Sequence, residues 1–165
     1  MSWNETIGML EDLAKVATVA TATIALVAAV IAYLAMRVQR DIARKRASID
    51  FFLKTEMDDK IIEMYKKFEE TTPRIPAILS SPTFGPSSPE HHDLRKFLNI
   101  CELIAVGVNQ GAFSNHVSLE YWGDVLPASF KDAKLYIDHV RRTRGMGGPL
   151  TFRELEKLCK KWEGL

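Results

Sequence analysis

The sequence predicts an all-α protein: an N-terminal transmembrane helix that continues into a stalk, then a small cytoplasmic helical bundle. Three observations predict this. Val16–Met36 carries no charged side chain, and arginines follow at once. After that run, apolar residues recur at intervals of three and four. No segment shows the strict apolar–polar alternation of a half-buried strand.

The uncharged run is 21 residues long. As a helix it spans about 31 Å, the thickness of a bilayer's hydrocarbon core. A buried core helix is also apolar all round, but this run is long for a small domain. Its only polar side-chain atoms belong to Thr18, Thr21, Thr23 and Tyr33. A helical Thr returns its hydroxyl to a carbonyl one turn back, so it is tolerated in lipid. A cleavable signal peptide fits poorly. The preceding flank is acidic, with Glu5, Glu11 and Asp12 against Lys15, and the run is too long.

Charge sets the expected orientation. Arg37, Arg40, Arg44, Lys45 and Arg46 stand against Asp41, a local net of +4. The positive flank stays in the cytoplasm, which places the N-terminus outside, with Trp3 as an interfacial anchor, and the rest of the chain inside. The five basic residues read as a membrane-surface cluster; for Arg44–Arg46 a solvated face or a subunit contact is the alternative. Beside an anionic leaflet each is worth on the order of 1 kcal/mol. The whole chain carries only +1, so nucleic acid is not an expected partner. Cys101 and Cys159 form no disulfide framework, which suits a reducing compartment.

Within the run, Ala17, Thr21, Ala25 and Ala29 recur at every fourth position, and Ala14, Thr18 and Ala22 form a second small series. Small residues at this spacing let helix backbones approach closely in lipid, where packing drives association. The alternative is that Ala is simply a good helix former. The expected partners are the lipid bilayer, further copies of the chain and an unidentified protein. The number of copies is not set by the sequence.

The remaining elements follow in order. No Gly or Pro interrupts Arg37–Thr55, and Val38, Ile42, Ile49, Phe52 and Leu53 fall at helical intervals. This predicts one helix from Asn4 to Thr55. A second helix, Asp58–Glu70, carries Ile61, Ile62, Tyr65 and Phe68 on one stripe and stops before Pro73. Thr71–Asp93 holds five of the seven prolines and reads as a loop, with Ile75, Ala77, Ile78 and Leu79 packing down. The chain thus divides into 1–36, 37–70, 71–93 and 94–165. His91 and His92 flank no ligand set beyond the adjacent Glu90 and Asp93. They read as exposed helix-start residues; no metal and no cofactor is expected.

Leu94–Val108 predicts a helix buried over much of its surface, ended by Gly111 as a left-handed cap. Glu102 lies in its middle. A buried carboxylate needs a partner. A structural ion pair with Arg141 or Arg142 is expected ahead of a catalytic role. Helices over Val117–Leu126 and Ser129–Arg144 follow, the latter ending in basic residues and glycines. Thr151–Glu154 reads as a capping box for a terminal helix with Leu155, Leu158, Cys159 and Trp162 on one stripe.

Four blocks, "KRASIDFFLKTEMD" (Lys45–Asp58), "FLNICELIAVGVNQGAFS" (Phe97–Ser114), "YWGDVL" (Tyr121–Leu126) and "FRELEKLCKKW" (Phe152–Trp162), resemble the bacterial family called domain of unknown function 4760. The family name implies no activity. The plan of membrane helix and small helical domain also resembles the accessory proteins encoded beside type VI-B CRISPR nucleases. That resemblance implies a bacterial inner-membrane protein, a HEPN-like cytoplasmic domain and a pore-forming or membrane-perturbing role in antiviral defence.

HEPN ribonucleases place an Arg a short helical interval before a His. Among His91, His92, His116 and His139 none has that Arg, and His139 precedes Arg141, Arg142 and Arg144 in reversed order. Phosphate-binding Gly loops, Gly-x-Ser-x-Gly, His-Glu-x-x-His and Cys-x-x-Cys are also missing from the sequence. No catalytic residue and no enzyme is expected. The alternatives to a membrane effector are a membrane-anchored, non-catalytic interaction or regulatory domain and, as a minor reading, a HEPN-like ribonuclease.

Overall fold

A computed structural model describes the backbone of residues 3–164, and the side chains of these except 4–6 and 10–12. Glu5, Glu11 and Asp12, on which the reading of an acidic outer flank rests, lie outside the described side chains. The described residues are all-α, without a strand: α1 Trp3–Met57, α2 Asp59–Thr71, α3 Ile75–Leu79, α4 Pro89–Asn109, α5 Asn115–Trp122, α6 Val125–Asp132, α7 Lys134–Arg142 and α8 Arg153–Glu163. The chain divides into two compact units, Met1–Ile42 and Ala43–Leu165.

The described residues of the first unit lie on α1, an uninterrupted helix of 55 residues. Its most apolar 18-residue window has a mean hydropathy of 2.3, and none of that window is buried. By length and composition the helix is able to cross a membrane. The threonines behave as their chemistry requires. Thr18 donates to the Ala14 carbonyl at 2.8 Å, Thr21 to that of Ala17 at 2.8 Å and Thr23 to that of Val19 at 2.9 Å. Their polar atoms are therefore satisfied inside the helix, as a lipid environment demands.

The second unit begins with the end of α1. The sequence reading places Ile49, Phe52 and Leu53 at helical intervals. In the fold Ser48, Phe52 and Thr55 are buried, while Ile49 and Leu53 stay exposed. Ser48 ties this part of α1 to the start of α5: its Oγ donates to the Arg44 carbonyl and accepts the Ser114 N–H, each at 2.8 Å. The core centres on α4, whose Leu94, Phe97, Leu98, Cys101, Ile104 and Ala105 are all buried. Tyr65 and Phe68 of α2 pack on Phe97, with ring centroids 5.1 and 4.7 Å apart. Leu155, Leu158, Cys159 and Trp162 of α8 are buried as the stripe predicts, and both cysteines are free.

Three boundaries differ from the sequence reading. Residues 71–93 are not one loop: they hold a 3-10 turn at Thr72–Arg74, α3, and the start of α4. Ile75 and Ile78 bury as expected. Pro73, Pro76 and Pro89 each sit in the first turn of one of these elements, where a missing N–H costs nothing. The expected helices at 117–126 and 129–144 become α5, α6 and α7, with Pro127 in the first turn of α6. The 37/70 partition also shifts, because residues 43–57 of α1 belong to the same compact unit as the rest of the bundle.

Candidate functional site

Ala17, Thr21, Ala25 and Ala29 lie along one side of α1, and all four are exposed. The Thr21 hydroxyl is turned back onto Ala17, so the stripe presents small apolar surface with no unmet polar atom. Arg37, Arg40, Arg44, Lys45 and Arg46 are exposed as well. The Arg37 guanidinium lies 5.6 Å from the Tyr33 ring centroid, one turn back, in a cation–π arrangement.

Arg44 has a second neighbour that its membrane-surface assignment omits. A Cβ on Gly111 would come within 3.2 Å of Arg44 Nη2, and Gly111 takes a φ of +69°. Gly111 is the left-handed residue just beyond α4, as expected, and its φ and this close approach both favour glycine. The cation therefore rests at the C-terminal end of α4, where it complements the helix dipole.

The expected ion pair of Glu102 with Arg141 or Arg142 is not the observed arrangement. Glu102 is half-buried, and its carboxylate accepts the N–H of Leu155 at 2.7 Å and of Glu154 at 3.2 Å. These are the N–H groups of the first turn of α8, which have no partner within the helix. Asn109, one helical stretch further along α4, donates to the Glu154 carbonyl at 3.1 Å and to Glu154 Oε2 at 2.8 Å. Arg141 serves the same junction from α7. It donates to the Thr151 carbonyl at 2.9 Å, to the Phe152 carbonyl at 3.3 Å and to Glu156 Oε2 at 2.8 Å. Arg142 makes a local bond, to the Asp138 carbonyl at 3.0 Å.

The predicted capping box at Thr151–Glu154 fails for a connected reason. Thr151 Oγ1 accepts the Gly148 N–H at 3.0 Å, and Phe152 at the cap position has a φ of 57° with no side-chain cap. Glu102 supplies the cap from another helix. Hydrogen bonds from Lys160 and Arg141 hold the Glu156 carboxyl at a pKa of about 2.

His91 is buried, not exposed as its position at a helix start suggests. Its Nδ1 lies 3.1 Å from the Tyr136 hydroxyl of α7. Phe84 covers the pair, its ring centroid 6.2 Å from that of His91 and 6.5 Å from that of Tyr136. Burial, then the charges of Arg95, His92 and His139, lower the His91 pKa and favour the neutral ring. Among the described residues no group of three or more His, Cys, Asp or Glu is placed to hold a metal ion.

Residues 22–162 match the family described as Domain of unknown function (DUF4760). The chain belongs to DUF4760. No curated protein and no solved structure matches the chain. The DUF4760 match joins part of the apolar stretch of α1 to nearly the whole helical bundle, so both units belong to one family pattern. Ala25, Ala29, the basic run Arg37–Arg46, Glu102, Arg141 and Arg142 all fall inside the DUF4760 match; Ala17 and Thr21 precede it.

Proposed function

We propose that this DUF4760 chain is an oligomeric single-pass protein of the bacterial inner membrane, with its N-terminus outside and the Ala43–Leu165 unit in the cytoplasm. Its copies meet along Ala17, Thr21, Ala25 and Ala29, and the assembly perturbs the membrane, as a pore-forming effector in antiviral defence. The observation that supports assembly is the exposed small-residue face of α1, whose Thr21 hydroxyl is already bonded within the helix. Without a hydrophobic driving force between helices in lipid, close backbone packing at such a face is what holds copies together. The basic run after the span supports the orientation. The role in defence rests on the architectural resemblance to the type VI-B accessory proteins. No enzymatic activity is proposed.

The purified chain in detergent is expected to give a light-scattering mass above that of a monomer and, after reconstitution, to release dye from liposomes. A monomer that releases nothing would favour the second reading, a membrane-anchored, non-catalytic interaction domain. That reading is supported by a groove on the cytoplasmic unit.

A further inference from the structure

Two hollows on the Ala43–Leu165 unit share a wall. One, of about 530 Å³, is bounded by Phe68, Glu69 and Asp132. The other, of about 400 Å³, is bounded by Glu56, Phe97, Tyr121 and Trp122. Tyr65 and Val125 line both, so they form one groove, with α2 on one side and α5 and α6 on the other.

Two features give the groove a chemical character. Its charged lining residues are all carboxylates: Glu56, Glu69 and Asp132. The neighbouring Glu69 raises the pKa of the Tyr65 phenol; burial and then Glu56 push that of Tyr121 up to about 12. Each of these phenols stays protonated, so the formal charge of the groove lining is that of its three carboxylates. The floor is aromatic. Trp122 is 7 % exposed, and its Nε1–H has no acceptor among the described residues. At the rim, Ile62 and Tyr121 remain exposed.

We propose that this groove docks a basic amphipathic helix of a partner protein. Apolar anchors on one face of that helix pack on Tyr65, Phe97 and Trp122, and flanking Lys or Arg side chains meet Glu56, Glu69 and Asp132. A helix laid in an apolar groove reads its partner through anchors at such spacing, and the ring of one charge sign selects the sign of the partner. Helix α7 of the chain itself is basic and α8 carries lysines in its last turn, but Ile137, Val140, Leu155 and Leu158 already spend their apolar faces on its core. The other basic stretch, Arg37–Arg46 of α1, directly follows the uncharged run and is assigned to the membrane surface, so the occupant is a different protein rather than a second copy. This inference does not depend on assembly of the span.

The test uses the full chain in nanodiscs of zwitterionic lipid, with empty nanodiscs as the blank. The probe is a fluorescently labelled amphipathic helical peptide of Leu and Lys, and its control is the matching peptide of Leu and Glu. Glu56, Glu69 and Asp132 are all exposed, so E56Q/E69Q/D132N leaves the core intact, and circular dichroism checks the fold. The Leu/Lys peptide is expected to bind the parent, more weakly at high salt, and to lose at least about tenfold in affinity to the triple variant. The Leu/Glu peptide is expected not to bind. Equal affinity for parent and variant, or no binding above empty nanodiscs, would overturn the proposal. A change in assembly mass of the triple variant would place a second copy in the groove and would also overturn it.

Discussion

The Glu102 carboxylate caps a helix that begins about fifty residues away, accepting the Leu155 N–H at 2.7 Å and the Glu154 N–H at 3.2 Å. A bond between helices therefore does the work usually left to a side chain beside the helix start. Removing it orphans two N–H groups at a half-buried junction. E102A is expected to cost about 2–3 kcal/mol, and E102Q, which keeps a neutral acceptor, less. Thermal unfolding followed by circular dichroism in detergent measures both. An E102A protein that melts with the parent would remove the cap from the account of stability.

Arg141 and Arg142 are neighbours in sequence with different duties. Arg141 holds two carbonyls before α8 and the Glu156 carboxylate, whereas Arg142 bonds within its own helix. R141A leaves a partly buried acceptor set unmet and is expected to cost about 2 kcal/mol; R142A is expected to stay within about 0.5 kcal/mol of the parent. Comparable melting shifts for the two variants would contradict the assignment.

Acid acts in two separate windows. The folded Glu156 carboxyl titrates near about 2 against an ordinary 4.5. Its stabilisation is complete above 4.5 and is lost as pH falls from there through about 2. His91 has a folded pKa below its ordinary 6.5. The unfolded chain thus takes up the proton first, and stability falls as pH drops below 6.5 toward the folded value. Denaturant midpoints measured against pH are expected to show both declines. E156Q should flatten the lower one and H91Q the upper one.

Topology is open to a direct check. In the proposed orientation the basic run Arg37–Arg46 keeps the C-terminal unit inside. A C-terminal alkaline phosphatase fusion is expected to be inactive, and a C-terminal fluorescent fusion bright. The opposite pair of outcomes reverses the orientation.

The features legible in the sequence were those set by composition and local period. The apolar stretch of α1 announces itself by twenty-one uncharged residues, and α8 by Leu155, Leu158, Cys159 and Trp162 on one face. Gly111 was legible because the left-handed end of a helix favours glycine. The partner of Glu102 was not, because its donors are backbone N–H groups, which no residue type marks. Thr151 misled because its hydroxyl is spent on the Gly148 N–H, so the local capping pattern is present without its hydrogen bonds. His91 looked like a surface residue because its cover, Phe84 and Tyr136, comes from a loop and from α7. The groove escaped notice for the same reason: Glu56, Glu69 and Asp132 stand on three different helices.

The most direct test of assembly through the span is the light-scattering mass of A25L/A29L in detergent beside that of the parent. Both changes keep the segment apolar, so membrane insertion should survive, and the Ala43–Leu165 unit should retain its melting behaviour. The added side chains hold neighbouring helices apart and remove the close approach on which packing in lipid depends. The expected result is a smaller assembly that no longer releases dye from liposomes. A double variant that keeps the parent's mass and its dye release would contradict a contact through this face and leave α1 as an anchor.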